Sequence, residues 1–70
     1  MDNKFAERLR RLREQQHKSR KTLSELCGLP PDSVRRYERA ESKPTMDALI
    51  KLADYFEVSL DYLTGRINYR

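Results

Sequence analysis

Gly28, Leu29, Pro30 and Pro31 stand together near the middle of the chain, and regular structure cannot run through them unbroken. Glycine accepts the left-handed backbone that ends a helix, and proline fixes φ at a value suited to opening one. The segment Cys27–Arg39 therefore reads as the end of one helix, a glycine turn, and a second helix from about Pro31 to Arg39. Leu23 and Leu26 before the turn, with Val34 and Tyr37 after it, supply apolar contacts to clamp two short helices at a steep angle. Arg35, Arg36 and Arg39 fall on the faces of the second helix that remain.

A chain of 70 residues holds one domain. A domain this small buries only roughly 60% of its unfolded surface, which leaves little room for a deep catalytic cavity or small-molecule site. No apolar run approaches the ~20 residues of a membrane span, and the polar start Met1–Lys4 lacks the pattern of a signal peptide. The expectation is a cytoplasmic protein with no membrane partner. The lone Cys27 cannot form an internal disulfide, in keeping with a reducing compartment. His17 and Cys27, ten residues apart, do not make a zinc site, so neither metal nor cofactor is expected. The net charge of +4 is unevenly spread, with +5 over residues 1–22, balance over 23–44 and −1 over 45–70. One face suits a polyanion and the far end does not.

Phe5, Leu9, Leu12 and Gln16 recur at helical spacing and predict a first helix over Asn3–Gln16, capped by Asp2 or Asn3. His17 falls where the chain must leave that helix in left-handed backbone. Ser19 caps the second helix, with Leu23, Leu26 and Cys27 inward and Gly28 at its end. Pro31 takes the first position of the third helix, and Asp32 favours its dipole from the first turn. After the loop Ala40–Pro44, Thr45 caps a fourth helix whose stripe is Met46, Leu49, Leu52, Ala53 and Phe56. Val58 packs under the next turn. Ser59 caps a short fifth helix with Leu60 and Leu63 inward and Gly65 as its stop. The expected fold is all-α, a compact five-helix bundle over residues 1–65 with a polar tail at 66–70 in which Ile67 and Tyr69 alternate.

Two short helices around a tight turn, the second presenting basic side chains outward, form a helix-turn-helix. An α-helix fits the DNA major groove, where each base pair shows a distinct donor and acceptor pattern. The stretches Arg10–Arg13 (RRLR), Leu23–Gly28 (LSELCG), Val34–Arg39 (VRRYER), Lys43–Thr45 (KPT), Leu49–Ala53 (LIKLA) and Val58–Asp61 (VSLD) occur in this order and spacing. Together, over residues 4–65, they resemble the phage Cro and repressor type of bacterial helix-turn-helix domain, the xenobiotic-response-element family. The resemblance implies a lambda-repressor-like fold in which the second helix crosses the DNA backbone and the third is the recognition helix. It matches Pro31, Asp32 and Arg36 to base contact, and Arg20, Arg39 and Lys43 to phosphate contact. Arg13 and Glu38 match an ion pair that ties the first helix to the recognition helix.

The departures from that pattern bear on recognition. Arg20 stands where glutamine is common, which raises phosphate affinity. Pro30 and Pro31 replace a small polar cap and a polar base-reader, and a proline can at best touch a thymine methyl. Ala40 replaces a glycine and must bear any left-handed strain itself. Lys18 sits where an apolar residue is usual, so its methylenes must cover the core while its ammonium stays wet.

Taken singly, these side chains have two readings each. Arg36 lies away from the core and either bonds guanine O6 and N7 or clamps a phosphate. Arg35 is read as a phosphate contact or a solvated arginine. Asp32 can accept from cytosine N4, but its place at the start of a helix explains it without DNA. Arg13 and Glu38 are architectural, and Cys27 is a small core residue. Ser19, Ser24, Ser33 and Ser59 lack a base and an orienting acid, so no enzyme is expected. Tyr55, Tyr62 and Tyr69 belong either to the core margin or to a protein interface.

The reading that follows is a sequence-specific transcriptional regulator, a repressor by resemblance, bound to a palindromic operator in double-stranded DNA in a bacterial or phage setting. The alternative is a protein-interaction module or antitoxin-like regulator of the same fold. Arg20, Arg36, Arg39 and Lys43 together favour DNA. With no room for an effector domain, the chain is a minimal regulator or a piece of a longer one. One recognition helix reads few base pairs, so a homodimer is expected on DNA, with Leu60, Tyr62, Ile67 and Tyr69 as its apolar interface.

Overall fold

The computed structural model describes residues 4–70. Within them the chain forms five helices: α1 (Lys4–Gln15), α2 (Arg20–Leu26), α3 (Ser33–Glu38), α4 (Met46–Phe56) and α5 (Leu60–Leu63). No strand occurs among the described residues, and the cap expected at Asp2 or Asn3 lies outside them.

Short hydroxyl side chains set three of the helix starts. Ser19, Thr45 and Ser59 hold extended backbone, and each side-chain oxygen accepts the N–H three residues on: Thr22 at 3.0 Å, Ala48 at 3.1 Å, Tyr62 at 3.0 Å. Each such cap contributes about 1 kcal/mol. The exits share one device. His17, Gly28, Ala40, Glu57 and Gly65 all follow a helix with φ between 55° and 87°. At each, two successive N–H groups fold back on the preceding helix, as when Gly28 donates to Glu25 O (3.1 Å) and Leu29 to Ser24 O (2.8 Å). This Schellman pairing satisfies the terminal carbonyls and reverses the chain within a few residues.

α1 runs through the middle, packed on α3 and α5, while α2 lies on α3 and α4 on α5. The core is one cluster built from Leu9 and Leu12 of α1, Leu23 and Cys27 around the end of α2, Val34, Leu52, Ala53, Tyr62 and Leu63. Fully burying a leucine contributes about 1.5–3 kcal/mol, so a core this small carries most of the favourable term. Burial also pushes the Cys27 thiol up from its ordinary range. Phe5 and Tyr37 close the edge, their rings 5.9 Å apart and tilted.

The structure corrects several expectations. α3 begins at Ser33, not Pro31, and ends at Glu38. Pro30 O accepts from Ser33 N at 3.0 Å, which places Pro31 and Asp32 in the middle of a turn. α1 likewise stops at Gln15, leaving Gln16 in the turn. Leu26 is 53% exposed instead of inward. At roughly 100° per residue it lies on the far side of Leu23 from the stripe formed by Leu23, Cys27 and Ser24. Met46, in the first turn of α4, is 64% exposed, and Ala48 is buried instead. Leu60 remains partly exposed.

Tyr62 and Ile67 do not offer free apolar surface, for Tyr62 is buried and Ile67 packs against the core. Arg8 holds the segment that carries them. Its Nη1 donates to the carbonyls of Tyr62 (2.6 Å) and Ile67, its Nη2 to Asn68 Oδ1 (2.9 Å), and its guanidinium lies 4.3 Å from the centre of the Tyr62 ring. Arg70 adds a bond from Nη2 to Gln15 Oε1 at 2.7 Å. Residues beyond Gly65 are therefore tied to α1. Tyr55 is half-buried at the core margin and Tyr69 is exposed.

Candidate nucleic-acid interface

α2 and α3 are joined through Ser24, a fully buried side chain on the inward face of α2. Its hydroxyl donates to Arg20 O at 2.9 Å and accepts the Val34 N–H at 3.1 Å. Val34 sits in the first turn of α3, where N–H groups have no partner within the helix. Asp32, the residue in the cap position, makes no side-chain cap bond. α3 is thus capped in part from its neighbour, a role that Ser24 conceals in the sequence because only the fold brings residues 24 and 34 together.

α1 holds the other side of α3. Arg13 Nε lies 2.6 Å from Glu38 Oε2 and Nη2 3.0 Å from Oε1, a two-pronged pair with side chains only 15% and 5% exposed. Arg13 Nη1 also donates to Lys18 O at 2.8 Å. The hydrogen bonds to Glu38 hold the Arg13 proton more tightly than usual, outweighing the opposing effect of burial. Arg13 thereby fastens α3, α1 and the loop before α2 with one guanidinium.

Gripped on these two sides, α3 turns Arg36 outward, exposed. Arg20, Lys43, Arg39, Pro31 and Asp32 are exposed as well, and Arg35 is partly covered. Among the described residues no carboxylate lies within ion-pair distance of Arg36, Arg20 or Lys43. Arg35 and Arg39 differ. Arg35 reaches Asp32 through Nε (2.7 Å) and Nη2 (2.8 Å), and Arg39 Nε lies 2.8 Å from Glu41. The Asp32 carboxyl is held below its ordinary range, chiefly by the hydrogen bonds from Arg35.

Two shallow clefts flank α3. One, of about 290 Å³, brings Arg20, Pro31, Asp32 and Arg35 together with Ser19 and Lys21. The other, of about 250 Å³, lies between α1 and the end of α3 and includes Arg10, Glu38 and Arg39. Arg10 enters the sequence reading only within the RRLR stretch, and Lys21 and Glu41 are not among its candidate site residues. The excess of positive charge over residues 1–22 pointed toward the first two, and nothing local pointed to Glu41. The assembled surface gathers arginine and lysine donors around the exposed Arg36, a chemistry suited to phosphate and base edges.

Known proteins share this fold. A family model described as helix-turn-helix matches residues 9–63. The cryptic phage CTXphi transcriptional repressor RstR of Vibrio cholerae serotype O1 is 38% identical over 63 residues, which cover 90% of this chain and 56% of that protein. The P22 c2 repressor, solved in complex with synthetic operator 9T, superposes with a TM-score of 0.78 at 27% identity over 84% of this chain and 89% of that one. A transcriptional regulator from Listeria innocua gives a TM-score of 0.77 at 35% identity, over 94% of this chain and 59% of that one. The chain spans about half the length of curated relatives such as the Vibrio repressor. With the family model, these likenesses and the five-helix fold in agreement, the chain belongs to the helix-turn-helix family, in its phage Cro and repressor type.

Proposed function

We propose that this chain is a sequence-specific DNA-binding transcriptional regulator of repressor type, with α3 in the major groove. The observation that carries the reading is Arg36, exposed and with no ion-paired carboxylate on a helix braced by Ser24 and the Arg13–Glu38 pair. Arg36 is the base-reader, able to bond guanine O6 and N7 at once. Arg20 and Lys43 contact phosphates, joined by Arg39 and Arg35 to the extent that their carboxylates release them. Pro31 meets a base edge through apolar contact alone, and Asp32 serves Arg35 before it serves a base.

The protein acts as a two-fold dimer on a palindromic operator, in the cytoplasm at the nucleoid of a bacterium or lysogen. Its longest extent is 28 Å, less than the roughly 34 Å between half-sites one helical turn apart. One domain thus serves one half-site. Selection of bound sequences from random duplexes, repeated at two salt concentrations, tests the reading. A two-fold symmetric consensus should emerge, and log affinity should fall against log salt with a slope of roughly −3 to −5 per monomer. A flat salt response without enrichment contradicts it.

A further inference from the structure

Glu41 follows the left-handed Ala40, and its backbone N–H returns to Arg36 O at 2.9 Å. That reversal carries its carboxylate back along α3, where Oε2 lies 2.8 Å from Arg39 Nε and Oε1 3.7 Å from Arg35 Nη1. At the opposite end of the helix, Asp32 grips the same Arg35. Two acids therefore offset two arginines. Among the described residues, Arg36 is left as the arginine of α3 with no carboxylate within ion-pair distance.

We propose that Glu41 is a specificity-determining residue, whose carboxylate keeps Arg39 and Arg35 from generic phosphate so that binding depends on what Arg36 meets. The inference rests on reading α3 as the DNA-contacting helix. Binding to arbitrary duplex is almost wholly a matter of phosphates neutralised and counterions released. An acid that occupies two guanidiniums withdraws them from that sum, and its own charge repels the phosphates nearest to it. In the complex with the preferred site these pairs need to open less than on arbitrary duplex, because hydrogen bonds from Arg36 to a base edge supply part of the affinity. The pairs are solvent-exposed and individually weak, with Arg39 61% and Glu41 41% exposed. They bias the arginines without locking them.

The test compares the parent chain with Glu41→Gln on the duplex enriched by selection and on a duplex of random sequence, across a salt series. Glu41→Gln should bind the random duplex about three- to ten-fold more tightly and steepen its salt slope by roughly 1 to 2. Affinity for the enriched duplex should rise less, so the ratio between them falls. Thermal unfolding of the variant should be nearly unchanged. In an Arg39→Gln background the gain from Glu41→Gln should shrink, since the carboxylate acts through that guanidinium. Unchanged or weaker binding to random duplex, an unchanged ratio, or an equal gain in the Arg39→Gln background overturns the inference while leaving the DNA reading intact. A parent chain that binds no duplex overturns both.

Discussion

The Ser24 hydroxyl accepts the Val34 N–H at 3.1 Å from a position with no exposed surface, joining α2 to the first turn of α3. A helix of six residues has little stability of its own and needs its end groups satisfied from outside.

Ser24→Ala should therefore destabilise the domain by about 1–3 kcal/mol, since it leaves a buried N–H without a partner. Urea unfolding measures this. A loss of only a few tenths would mean that another acceptor replaces the hydroxyl.

Glu38→Ala strands Arg13, which is mostly covered. The expected cost is up to roughly 3 kcal/mol, large against the stability of a small domain. Replacing both partners with Arg13→Met and Glu38→Leu should recover much of it. An unaltered unfolding midpoint in Glu38→Ala would show that the pair contributes nothing.

Ala40 and Gly28 hold similar left-handed backbone, at φ 57° and 72°. Ala40→Gly should stabilise by roughly 0.5–1 kcal/mol and Gly28→Ala should destabilise by about 1 kcal/mol. Nothing within 4 Å would obstruct a side chain at Gly28, so backbone strain alone sets that cost. Opposite shifts in thermal midpoint, of roughly 4–8 °C per kcal/mol, are the readout.

The Asp32 carboxyl should titrate below the ordinary aspartate range by NMR, and return toward it in Arg35→Gln. A depressed folded value means that the contribution to stability is complete at neutral pH and lost as pH falls through that value. An unshifted titration would show that the pair with Arg35 does not persist in solution.

Much of this fold is legible locally. Ser19, Thr45 and Ser59 announce their helices because a hydroxyl cap acts within three residues, and His17 marks an exit for the same local reason. Periodicity found Leu9, Leu12, Leu23 and Leu63, but it could not tell the middle of a stripe from its edge, where Leu26 and Met46 lie exposed. What escaped the sequence depends on distant partners. Arg8 reaches carbonyls more than fifty residues away, and that contact holds the segment carrying Tyr62 and Ile67 against α1. The basic set around α3 was legible as composition, whereas the division into paired Arg35 and Arg39 and unpaired Arg36 arises from turns at Asp32 and Ala40.

The account turns on Arg36, and its removal tests it most directly. The parent chain and Arg36→Ala are titrated against the selected duplex and a scrambled one, with Arg20→Ala beside them. Arg36→Ala should lose about 1–3 kcal/mol on the selected duplex and little on the scrambled one, while Arg20→Ala weakens both alike. Equal losses for Arg36→Ala on both duplexes would contradict its role as the base-reading residue of α3.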